Sequence, residues 1–213
     1  MTDKNPIEDL KEIRKMMESS SKFLSLSGLS GIFAGIVALV GAWIAQTEID
    51  HFELLAPHFY FQGTLDQEVE TFSLKLVFIA LGILVMALSL GVLFTWLKAR
   101  RQQKKLWTPL SLKLIISLMV PLAFGGLFCI GLYYRGITYI IPAATLIFYG
   151  LALLNGSKYV HVDIKYLALC EMALGVISIF DKNPLNAIYY WAIGFGVLHI
   201  VYGTVMYFKY DRN

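Results

Sequence analysis

Six stretches of the chain, 23–46, 72–97, 112–134, 137–155, 164–180 and 187–208, are apolar almost without interruption, and nearly all charges fall between them. Uncharged apolar runs of about 18 residues or more read as membrane-crossing helices. At a rise of about 1.5 Å per residue, each run covers most or all of a hydrocarbon core roughly 30 Å thick. The fifth is the shortest and has to lean on its neighbours. The pattern predicts an all-α polytopic membrane protein, with six transmembrane helices in three hairpins occupying 23–208 and a short tail at 209–213. Residues 1–22 differ: Ile7, Leu10, Ile13 and Met17 recur at helical spacing behind an Asn5-Pro6 start, which predicts an amphipathic cytosolic helix. The first apolar run is too long for a signal-peptide core and lacks a small-x-small cleavage site, so it reads as a retained helix.

Composition agrees, with 57% hydrophobic and 15% charged residues, against about 25% charged in a typical soluble domain. The placement of charge adds orientation. Under a six-crossing scheme, fifteen of the eighteen Lys and Arg residues lie on one side, leaving Lys75, Arg135 and Lys182 on the other. Cytoplasmic loops carry such an excess, which predicts both termini in the cytosol of a bacterial cytoplasmic membrane. Trp43 and Trp191 fall at outer ends and Trp96 and Trp107 at inner ends, as expected of headgroup-level aromatics. The basic run from Lys98 to Lys105 serves this topology and calls for no nucleic acid.

Residues 47–71 form the one long outer segment, with six acids, two histidines and no Lys or Arg. Asp50, His51, Glu53 and His58 have metal-ligating side chains, but their spacing fits no ligand pattern, and a solvated acidic loop is the expected reading. No metal or cofactor is implied. The two cysteines, Cys129 and Cys170, fall at depths roughly 15 Å apart, too far for a disulfide, and read as small buried hydrophobes.

Leu146-Ile147-Phe148-Tyr149-Gly150 parallels His199-Ile200-Val201-Tyr202-Gly203, each followed by a Lys-Tyr pair at the cytosolic border. Helices 3–4 and 5–6 therefore read as related hairpins, with helices 1–2 a more diverged copy. The 5–6 hairpin joins Gly175, a short Asn183-Pro184 turn, Gly194, Gly196 and Tyr202-Gly203 over about forty residues. In this it resembles the small six-helix acid-resistance membrane protein family (HdeD-like), which implies a six-helix fold and a stress-related role. The acidic outer segment and the amphipathic N-terminus depart from that pattern.

Small residues permit close helix approach in lipid. Gly31-x-x-x-Gly35 is a literal GxxxG, read either as packing within the bundle or as a face for a homo-oligomer. Gly175, Gly196 and Gly203 are further packing positions. Glu171 shares a helical face with Ala168, Gly175 and Ser178; His199 shares one with Ala192, Gly196 and Gly203. Such faces turn inward, and the two antiparallel helices place both groups within about one helical turn in depth, roughly 5 Å. An unpaired ion there costs at least about 3 kcal/mol. Glu171 and His199, with Tyr202, Tyr149 and Thr145 nearby, thus form a candidate intramembrane polar site, either a hydrogen-bonded lock between helices or a proton- or solute-handling site. Pro121 and Pro142 are expected to kink helices 3 and 4, and Asn155 to add polar lining. No phosphate-binding glycine loop, HExxH or nucleophile elbow occurs, so no catalytic residue is assigned. The sequence leads to a non-enzymatic membrane protein, structural, accessory or stress-related. The alternative is a small transporter or proton-coupled channel using Glu171 and His199, its ligand undefined.

Overall fold

The computed structural model describes residues 27–103 and 107–212. The amphipathic helix expected over 6–22 lies outside the described residues, as do the start of the first apolar run and Lys104 and Lys105. Among the described residues there is helix and turn and no strand. The helices are α1 (Gly28–Gln62), α2 (Leu65–Arg101), α3 (Pro109–Tyr134), α4 (Ile141–Gly156), α5 (Ile164–Phe180) and α6 (Pro184–Asp211). With the 3-10 turn Thr138–Ile140 counted as part of α4, five of the six are long and apolar enough to cross a membrane. The exception is α5, whose 17 residues reach about 26 Å.

Each helix runs antiparallel to the next. This gathers Lys98, Arg100, Arg101, Lys158, Lys165, Lys209 and Arg212 at one end of the bundle, the basic end, while Arg135 and Lys182 lie at the other. The core is made by α1, α4, α5 and α6, and α2 and α3 flank it: α2 packs on α1, and α3 on α4. Only Ala99 of α2 is buried, and Phe78, Val85, Leu88 and Val92 all face outward. An apolar surface that wide is compatible with a membrane-embedded protein.

Glycine sets the close contacts. A Cβ added to Gly203 would stand 2.6 Å from both the Gly28 carbonyl oxygen and the Ile32 backbone nitrogen, and one added to Gly35 would stand 2.6 Å from the Gly196 carbonyl oxygen. Gly31 faces Gly203 at the same seam, so the GxxxG pair packs inside this chain, against α6. Gly150 and Gly175 do the same between α4 and α5, meeting the Ala168 and Ala143 carbonyls. The residues paired by the internal similarity, Gly150 and Gly203, thus hold equivalent places at two helix seams.

The acidic outer segment is not a loop. α1 runs on to Gln62 and α2 begins at Leu65, joined by a tight turn in which Gly63 has φ +71°. With 35 and 37 residues, these helices reach about 52 and 55 Å, some 20 Å more than a bilayer core needs. Phe52 stacks on Phe72 at 4.3 Å, and Lys75 pairs with Glu48 at 3.7 Å, zipping the extension. Pro142 also differs from expectation: it opens α4 behind the 3-10 turn Thr138–Ile140, where its missing N–H costs nothing, so it kinks no helix. Pro121 does lie inside α3. Cys129 and Cys170 are free, and Cys170 faces outward rather than into the core.

The basic end is tied by the last residues of the chain. Asp211 accepts the Gly28 N–H at 2.7 Å and the Ser27 hydroxyl at 3.2 Å, capping α1 from the far end of the sequence. Its other oxygen makes a charge contact of 2.6 Å with Lys98 of α2. Beside it, Asp163 receives Lys209 at 2.9 Å and the Tyr210 hydroxyl at 2.8 Å, and His161 stacks on Tyr210.

Candidate functional site

Glu171 sits on the inward face of α5 with Ala168 and Gly175 and is wholly buried, with 0% of its surface exposed. Its side chain extends toward α6 because Gly194 offers no Cβ: one built there would lie 2.5 Å from Oε2. His199 of α6 completes the approach, its Nδ1 3.3 Å from Glu171 Oε1.

Backbone winding decides which residues meet. Residues Ala192–Leu198 are π-wound rather than α-wound, a local change common at functional sites. The sequence reading placed Ala192 on the His199 face. The wider turn instead leaves Ala192 half-buried and brings Gly194 inward against Glu171. The Gly194 carbonyl lies 3.1 Å from His199 Nδ1. A carbonyl only accepts, so Nδ1 is the nitrogen that carries hydrogen. Nε2 is then free to accept from the Tyr149 hydroxyl of α4, 2.8 Å away. The imidazole is therefore satisfied at both nitrogens.

The carboxyl is not. Neither Glu171 oxygen has a well-directed hydrogen-bond donor among the described residues, because the Nδ1 hydrogen is aimed at Gly194. A buried carboxyl group with open hydrogen-bonding capacity is costly and calls for an explanation. Aromatic rings enclose the histidine: Phe195 stacks on His199 and packs against Tyr149 and Trp191.

Of the other expected members, Tyr202 and Tyr149 both pack on the cluster that includes Leu114, Leu153, Ile164 and Leu167. Thr145 does not join: its hydroxyl donates to the Pro142 carbonyl one turn back, at 2.7 Å. Asn155 ties α4 to α3 through the Ser117 carbonyl rather than lining the site. Sequence reasoning missed Gly194, whose role depends on the π turn, and Leu146, the other large side chain wholly buried with Glu171. Gly31, Gly35, Gly175, Gly196 and Gly203 all lie at helix seams around the site. Asp50, His51, Glu53 and His58 are strung along α1, where Asp50 accepts from Gln46; no three metal-ligating side chains converge among the described residues. No family model, curated protein or solved structure matches this chain.

Proposed function

We propose that this chain is a non-enzymatic membrane protein of six crossings in a bacterial cytoplasmic membrane, with both termini cytosolic, acting as a structural, accessory or stress-related component through its helix contacts. The lipid bilayer is its principal partner, and a second copy of the chain is a further candidate. The observation that carries this reading is the gathering of basic side chains at one end of an antiparallel bundle whose flanking helices turn long apolar stretches outward. α5 is short, but the longer α6 packs beside it, and Lys165 at its start helps it reach headgroup depth. The stress-related element rests on the resemblance of the 5–6 hairpin to the HdeD-like family. A reporter fused after Asn213 is expected to be active only in the cytosol; activity on the opposite face overturns the scheme.

A second reading, a proton-handling carrier or channel, is favoured by the bare carboxyl of Glu171. In vesicles, Glu171→Gln then abolishes pH-linked flux. Under the first reading the same change alters stability alone.

A further inference from the structure

We infer that Glu171 is a proton-binding site reached from the basic end only, through His199, Tyr149 and Tyr202; this rests on the proton-handling reading and adds a route and a direction to it. The polar groups around Glu171 are distributed on one side. Toward the basic end come His199 at 3.3 Å, then Tyr149 at 2.8 Å from the far ring nitrogen. Tyr202, three residues beyond His199 on α6, is the next hydroxyl. It packs, as Tyr149 does, on the apolar cluster that includes Val160 and Ile164, the latter next in the chain to Asp163 of the basic-end cluster. Toward the opposite end the neighbours are apolar. Leu146 is wholly buried and flanks Gly194 beside the carboxyl, and Ala143 and Ile147 close against Gly175. The next polar atom on that face, the Ser178 hydroxyl, has no hydrogen-bond partner among the described residues.

Among the described residues, the groups facing the site from each packed element are few: Tyr149 from α4, His199 and Tyr202 from α6, and from α1 uncharged residues such as Gly31 and Gly35. A proton arriving at the Tyr149 oxygen releases the tyrosine's own hydrogen to His199 Nε2, giving an imidazolium. The imidazolium turns its Nδ1 hydrogen from the Gly194 carbonyl to Glu171 Oε1, and the carboxylate becomes a carboxylic acid while the ring returns to neutral with its hydrogen now on Nε2. One proton enters, one is bound, and no other group changes charge. Histidine suits the step because its ordinary titration lies near neutral pH.

The test uses the full chain in vesicles, with orientation fixed by protease access to a C-terminal tag. The signal is the infrared band of the protonated Glu171 carboxyl, assigned by its loss in Glu171→Gln. A pH step on the face bearing the C-terminus is expected to change that band at least tenfold faster than a step on the other face. Tyr149→Phe is expected to slow the response about tenfold, with folding checked by circular dichroism. Equal rates from both faces overturn the route and leave proton handling standing. So does an unaltered rate in Tyr149→Phe. A band that responds from neither face overturns both. The sidedness comparison needs no variant, so a misfolded mutant does not shelter the proposal.

Discussion

The α1–α6 seam and the outer surface of α2 are written in the same alphabet, glycine among aliphatic side chains, yet the residues do opposite work. At the seam, Gly28, Gly31, Gly35 and Gly203 let two backbones approach until one hydrogen in place of a methyl group decides the fit. On α2, Gly82 and Gly91 have nothing within 4 Å of where a Cβ would stand. Composition alone does not separate a glycine that closes a contact from one that merely sits in an apolar run. What separates them is whether another backbone lies across from it, and in lipid such contact is the main source of helix–helix adhesion.

The largest effect should come from breaking the seam. Gly203→Ala places a methyl group against backbone atoms of α1 that have no flexible end to move aside, a cost of about 1–3 kcal/mol. Gly82→Ala, the same change on α2, is expected to stay within about 1 kcal/mol of the parent and to fall on the stabilising side through helix propensity. Unfolding of both variants in mixed micelles measures the difference. Equal losses would mean that α2 has a helix neighbour as close as that of α1.

A smaller effect separates the seam from the basic end. The glycines of the seam carry no titrating group, whereas Asp163 and Lys209 depend on charge. The hydrogen bond from Lys209, then that from Tyr210, holds the Asp163 carboxyl below its ordinary 3.8, and the Asp163 contact lifts the Lys209 ammonium above its ordinary 10.5. A depressed acid stabilises the fold above its unfolded value, and that contribution is lost as pH falls through the folded one. A raised base stabilises below its unfolded value and loses its contribution as pH rises through the folded one. The contact is therefore fully present between these limits, and Asp163→Asn should flatten the acid limb of a stability-versus-pH curve. The exposed setting of Lys209 keeps the change small. An unaltered acid limb in Asp163→Asn would assign that limb to another carboxylate.

Much of the bundle was legible in the chain. The bounds 164–180 coincide with α5, and 112–134 differs from α3 by a few residues at the start, because a lipid-matched apolar run and a helix end for the same reason. The 47–71 segment was misread because hydropathy tests for lipid, not for helix. Its acids speak for water, and water tolerates a helix as readily as a loop; the helix even runs through Pro57. The inward faces of Glu171 and His199 followed from residue spacing. So did their meeting with each other and with Tyr149; the place of Gly194 against the carboxyl did not, because the spacing rule assumes 3.6 residues per turn and Ala192–Leu198 are wound more loosely. Nothing in the side chains of that stretch announces the change.

That loosely wound stretch makes the Glu171–His199 encounter a matter of counting. In a regular helix, each residue removed ahead of His199 would swing its ring by about 100° about the axis, away from α5. Substitutions within 192–198, outside Gly194 and Gly196 where a Cβ has no room, can vary bulk and polarity and leave the meeting intact. A one-residue deletion there would be taken up by tightening the loose coil into regular α turns and would leave the imidazole near its present face, a slack that a regular helix does not have.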